Sequence, residues 1–379
     1  MGPGGPPPLQ RFPDNQAFLI AWQPLRDSRF VVAAERTRDQ PDRPAVWDVD
    51  RGKAIRRLGP HGTRQEDTIR SLALSADERW LVTGGSDGTL KVWDFQSGAE
   101  VRTQALRPRD KYPEPGWPQI RAVAISPDGS RYAAGRPDGY VAVWDRETGR
   151  EIWSATERVS DEFKKHAPEP EGRMIVETVR FTPDGRRVLV TWRLFGGRAT
   201  VYDAATGRLI GKPVPGPDDR QFAMSADGRL VACAAHQGVK VLDPETGAVV
   251  ADFPQERSVT ALALSADGGR LAVGVYRHFI GQTAESAVRV IDVKTGQVEF
   301  DLRSHASSIG DLAFFADGSR LVTGGYDNTV KLWDLANGQE VLSLRFRPEA
   351  DSRVERLAVS ADGSRILAGN EKLTVWRAK

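Results

Sequence analysis

The chain has 379 residues, 40% hydrophobic and 27% charged, which excludes a disordered polypeptide and supplies apolar surface for a large core. Its 53 basic and 51 acidic side chains leave a net charge of +2, so no global field draws it to nucleic acid or to an anionic membrane. A single cysteine, Cys233 in the apolar run LVACAA, excludes a disulfide framework and a cysteine-based metal centre and fits a reducing compartment.

Residues 1–8, MGPGGPPP, read as a disordered or linker segment. They lack the basic start and apolar run of a secretory signal, and no later run of about 18 apolar residues spans a bilayer, so a cytoplasmic chain is expected. LQRF at 9–12 then precedes AFLIAW, RFVVAAE, PAVWD and KAIRRL, four runs that read as strands. The PAVWD ending recurs. GGSDGTLKVWD ends at Asp94, RPDGYVAVWD at Asp145, GGRATVYD at Asp203, HQGVKVLD at Asp243, SAVRVID at Asp292 and TGGYDNTVKLWD at Asp334. Counted from Asp48, successive separations run from 40 to 58 residues, and a degenerate copy, KLTVWRAK, closes the chain. That period belongs to propeller blades.

A second landmark stands upstream of each ending: SLALSADE, AVAISPDG, TVRFTPDG, QFAMSADG, ALALSADG, DLAFFADG and LAVSADG. Apolar residues alternate before the turn, as in Leu72 and Leu74, Val123 and Ile125, Leu262 and Leu264, which is strand periodicity ending in a hairpin. Between them sits alanine (Ala73, Ala124, Ala223, Ala263, Ala313, Ala358), which marks the innermost strand at a crowded hub; Arg180 breaks the rule. A second strand, the WD-type strand, a tight turn such as ETGR and a fourth strand follow, so each unit is a four-stranded antiparallel meander. Inner, second and third strands are counted eight times each but fourth strands only seven, 31 of the 32 that eight blades need. LQRF supplies the missing strand by closing the ring. The expected fold is all-β, a single closed β-propeller over residues 9–379 with eight blades, or seven if the first is divergent.

WD stands literally at Trp47-Asp48, Trp93-Asp94, Trp144-Asp145 and Trp333-Asp334, and from about residue 9 to 377 the sequence resembles the WD-repeat β-propeller family. In that family a His between blades, a Ser or Thr on the second strand, an Asp in the next turn and the Trp form a hydrogen-bonded tetrad. The resemblance implies such a tetrad at His305, Thr323, Asp327 and Trp333, structural rather than catalytic because each polar group is costly to bury unpaired. Blade two keeps Thr83, Asp87 and Trp93, but its His61 stands about four residues too early, and the other blades have lost more, so one full tetrad is expected.

Other motifs carry little chemistry. GGSDG at 84–88 matches G-x-S-x-G, yet a strand follows where a hydrolase needs a helix, and GRLIGKP at 207–213 lacks the spacing of a phosphate loop. Nothing places two of the five histidines at ligand spacing, so no metal and no cofactor are expected. Arg131, Arg187, Arg270, Arg320 and Arg365 recur three residues after the turn Asp and are expected to form solvated pairs with the WD aspartates.

The signal for function is the asymmetry between the faces. Connections from first to second strand and from third to fourth stay short and uniform, whereas length varies on the other face, at 36–44, 59–67, 107–118, 157–174, 193–198 and 277–287. Loops on a rigid scaffold carry function. Around the mouth of that top face, seven positions before each turn Asp, stand Arg70, Arg121, Glu177, Arg220, Thr260, Gly310 and Glu355, and the resemblance implies peptide contacts near here. Arg70, Arg107, Arg109, Lys111, Arg121 and Arg136 form an expected positive sector, with Trp117 and Tyr326 as aromatic contacts. The expected function is a non-catalytic, monomeric scaffold that binds a protein or peptide, acidic or phosphorylated, through the top face, without nucleic-acid or membrane partners. A propeller enzyme with its site in the central funnel is the alternative, as is a regulatory domain of a larger protein.

Overall fold

The computed structural model describes residues 10–11, 18–37, 39–106, 119–157, 175–193, 198–215, 222–235, 238–255, 258–277, 285–303, 305–345, 353–369 and 373–377. They form eight four-stranded antiparallel sheets, each with its strands in chain order from hub to rim, except the last, whose rim strand comes from the N-terminus. Blade two shows why the sequence folds this way. Its second strand, Trp80–Gly85, is buried at every position because neighbouring blades cover both faces, whereas the fourth, Glu100–Ala105, is mostly exposed at the rim.

Each inner strand ends in a turn built by its own side chains. In blade three Ser126 Oγ donates to Asp128 at 2.6 Å and accepts the Arg131 N–H at 2.9 Å, while Gly129 takes the left-handed conformation at φ 69°. In blade two the same place is held by Glu78 at φ 58°, whose carboxylate accepts the Arg26 N–H of blade one.

Blade eight comprises Arg356–Val359, Arg365–Gly369, Leu373–Arg377 and Gln10–Arg11, with Gln10 opposite Val375 and Arg11 opposite Thr374. The N-terminal segment therefore closes the ring, and the blade count is eight rather than seven.

The alanines of the inner strands have a more local cause than the crowding expected of the hub. Ala122 and Ala124 of blade three pack in one cluster with Val176, Val179 and Phe181 of blade four, so the small residue faces the next blade's apolar pair. Arg180 occupies that place in blade four and escapes by laying its guanidinium over Phe222 of blade five, 5.0 Å from the ring centroid, with its end exposed.

The described ends of two expected loops are strand. Phe30–Thr37 and Gln40–Asp48 pair up to Thr37 opposite Gln40, which puts 36–37 and 40–44 in a hairpin, and Arg270–Arg277 pairs with Glu285–Asp292, which puts 277 and 285–287 on strands. Fourth strands share a further feature. Opposite the WD-type residue the register slips by one, leaving Ile55, Val101, Ile152, Val250, Glu299 and Val341 as single extra residues in six blades. Five of these are exposed hydrophobics.

Candidate functional site

In blade seven His305 Nε2 lies 2.7 Å from Thr323 Oγ1, which also accepts the Trp333 indole N–H at 3.0 Å. His305 Nδ1 meets Asp327 at 3.1 Å, and the carboxylate further accepts the Ala306 N–H and the Thr329 hydroxyl. Burial alone would raise the Asp327 carboxyl, but the bonds from His305 and Thr329 override it and hold it well below the usual range.

Blade two brings the same four residue types together despite the early position of His61, but with the imidazole turned over and its Asp87 contact longer than a hydrogen bond, so blade seven holds the full tetrad. His61 Nδ1 stands 2.9 Å from Thr83 Oγ1, the Trp93 N–H donates to that oxygen at 3.0 Å, and His61 Nε2 is 3.6 Å from Asp87. The extra residues after His61 fold away in a turn whose Thr63 and Arg64 N–H groups donate to Asp67 at 2.9 and 2.8 Å. A bond from the His61 N–H to the Asp42 carbonyl, 2.8 Å long, fixes the ring's origin. Sequence distance to the strand was therefore a poor guide to reach.

Blade three corrects a second expectation. Arg136 is not a surface contact: it is 3% exposed, pairs with Asp138 through Nε at 3.0 Å and through Nη2, and donates from Nη1 to the Leu106 carbonyl at 3.0 Å. Its guanidinium carbon lies 4.5 Å from the Tyr140 ring centroid.

At the mouth of the top face, Arg70 is exposed. Its neighbour Arg121 is engaged, with Nε donating to Glu177 at 3.1 Å, and Glu177 is itself buried, with Arg193 at 3.7 Å on the same oxygen. Neither Arg121 nor Glu177 is thus a spare binding group. Glu355 is exposed, and Tyr326, 39% exposed, lies under Arg353 at 5.7 Å. Gly310 is needed there, because a Cβ would meet the Val354 carbonyl oxygen at 1.9 Å and the Tyr326 ring at 2.8 Å. Arg107, Arg109, Lys111, Trp117 and Arg220 lie outside the described residues, as do most of the loops at 107–118 and 157–174.

On the opposite face the expected arginine ring dissolves into different contacts. Arg187 pairs with Asp203 at 2.8 Å, but Arg270 meets Glu299 and Arg365 meets Asp50, while Arg320 lies over Phe315. The WD-type aspartates instead cap the turn that follows: Asp145 accepts both the N–H and the hydroxyl of Thr148 at 2.7 Å, and Asp94, Asp203 and Asp292 do the same for Ser97, Thr206 and Thr295. A cleft of about 460 Å³ between the turns of blades three and four is lined by Asp128, Asp184 and Asp203, all three already bonded to their own turns. Burial pushes the Cys233 thiol up to about 12, which makes it unreactive. Among the described residues no three His, Cys, Asp or Glu side chains are grouped to hold a metal.

Residues 52–94, 111–145 and 296–334 match the family model described as WD domain, G-beta repeat. WD repeat-containing protein SL1-17 of Schistosoma mansoni is 30% identical over 145 residues, 38% of this chain and 45% of that protein. The guanine nucleotide-binding protein subunit beta of Zea mays is 23% identical over 81% of this chain and 68% of its own length. Target of rapamycin complex subunit wat1 of Schizosaccharomyces pombe is 27% identical over 41% of this chain and 48% of its own, so the chain spans less than half of two of these relatives. The crystal structure of the computationally designed Ika8 protein is similar in fold, with a TM-score of 0.68 at 22% identity over 97% of this chain and 98% of that one. Eight closed blades, WD endings on four of their third strands and the WD repeat recognised in three places make this chain a member of the WD-repeat β-propeller family.

Proposed function

We propose that this propeller acts by binding rather than by catalysis, as a cytoplasmic scaffold whose top face docks a protein or peptide. One observation carries the reading. The polar side chains of the lower face cap their own turns, whereas Arg70, Tyr326 and Glu355 stand exposed around the upper mouth. Relatives named as subunits of larger assemblies, a G-protein β subunit and a target of rapamycin complex subunit, support the same reading. Against a funnel enzyme stands Asp311 on an inner strand, whose two carboxylate oxygens accept the Leu312 and Leu357 N–H groups at 2.9 and 2.7 Å. Those bonds join the inner strands of blades seven and eight, a structural use of the group.

The partner we assign is an acidic or phosphorylated segment that meets Arg70, with Tyr326 as its apolar contact. Arg121 is a poor probe of this, since reversing its charge would strand buried Glu177. Arg70→Glu and Tyr326→Ala should each cut capture of acidic and phosphorylated peptides on an array, more at low than at moderate salt, with unfolding midpoints within about 0.5 kcal/mol of wild type. Undiminished capture by both variants would move the docking surface elsewhere.

A further inference from the structure

Among the described residues of the hub, Arg180 is a large cation at a place that other blades fill with alanine. Where six blades place alanine on the inner strand, blade four places Arg180, opposite Leu189 in the pairing. The next blade's Phe222 blocks the inter-blade space, so the guanidinium turns over that ring at 5.0 Å and ends exposed in the central channel. Stacking engages only the flat face of the group. Its five N–H donors lie in the plane, and none makes a hydrogen bond or salt bridge to a described residue.

Among the described residues no carboxylate forms a salt bridge with it. Asp311 of blade seven, whose oxygens accept two backbone N–H groups, attracts Arg180 without a hydrogen bond to it. Arg356 of blade eight acts on the same carboxylate. Burial pushes the Asp311 carboxyl up to about 6, against the pull of Arg356 and Arg180. Exposed to the channel, the Arg180 guanidinium stays charged at any working pH.

We propose that the central channel holds a small oxyanion, phosphate or carboxylate, gripped in bidentate fashion by the Arg180 guanidinium with the Phe222 ring as its floor. The planar fork matches two oxygens of either group, and the aromatic floor shields the contact from water on one side. This site lies on the inner strands, apart from Arg70 and Tyr326 at the mouth, and does not depend on what docks there.

Calorimetric and thermal-shift titrations with inorganic phosphate and with acetate, at constant ionic strength, test it. Wild type should show a saturable rise in unfolding midpoint, since a ligand bound only by the folded state stabilises it. Arg180→Ala installs the residue that the other blades carry at this place, so it should fold at least as well while its dissociation constant rises about tenfold or more. Arg180→Lys, which keeps the charge but loses the fork, should fall between the two. Saturation by phosphate alone assigns a phosphoryl ligand, by acetate alone a carboxylate, and by both a general oxyanion site. Identical titrations of wild type and Arg180→Ala, or no saturable response in wild type, would overturn the proposal. Arg70→Glu should leave these titrations unchanged, which separates this site from the docking face.

Discussion

Blades two and seven tie the third strand to the preceding connection with an imidazole; blade three does it with a guanidinium. In the first two a glycine ends the second strand because a Cβ on Gly85 would stand 2.3 Å from His61 Nε2, and one on Gly325 2.5 Å from His305 Nδ1. Blade three has Arg136 at that place, just after the Gly135–Val141 pair. Its side chain fills the room the imidazole would take, entering from the strand instead of from the loop, and meets Asp138 as the histidines meet Asp87 and Asp327. Tyr140 replaces the threonine after the turn and provides the face on which the guanidinium lies. The feature held across the three blades is a shielded carboxylate with a nitrogen donor against it. Which residue brings the donor is open, provided the glycine and the histidine change together.

The largest test breaks the blade-three version. Arg136→Ala leaves Asp138 shielded without its cation and should cost about 3–5 kcal/mol in urea unfolding, because a buried pair deprived of one partner strands the other charge. Next come Asp327→Ala and His61→Ala, each expected to cost about 1–3 kcal/mol by calorimetry, since each leaves buried partners without a bond. An unchanged midpoint for His61→Ala would show that blade two holds its shape without the ring. The Asp327 contribution also has a pH window. Its folded-state pKa is depressed, so the stability it adds is present above the ordinary carboxyl value of about 4 and is lost as pH falls through the depressed one. The gap between wild type and Asp327→Asn should therefore narrow below about pH 4.

The smallest effect is the sharpest. Gly85→Arg should be destabilising in the wild type, where the new side chain collides with His61, but should recover about 1 kcal/mol when His61→Ala empties the space. Additive costs would mean that the two solutions are not interchangeable.

Much of the ring was legible in the sequence because strand period and turn chemistry are local. The alternation before each Asp-Gly turn, the WD endings and a strand count one short were enough for eight blades closed by the N-terminus. The candidate site was less so. Arg121 and Glu177 are 56 positions apart and pair only because inner strands of adjacent blades meet at the mouth. Arg136 shared its sector with Arg70, yet one points inward and the other out, and nothing in spacing distinguishes them. His61 was discounted by counting residues, when a turn capped by Asp67 had absorbed the excess.

The slip opposite the WD-type residue in the outermost strands has a consequence for life in a crowded solution. An unpaired outer strand is a template on which another molecule's strand can add, and a run of valines and isoleucines there would invite it. Ile55, Val101, Ile152, Val250 and Val341 are placed where the backbone bends out of register, so an incoming strand loses its hydrogen-bond ladder at the very point where the apolar contact is offered. Blade four breaks its ladder elsewhere, between Ala199 and Val201, and blade eight ends in the two-residue strand Gln10–Arg11. On this geometry the rims offer an incoming strand no unbroken ladder.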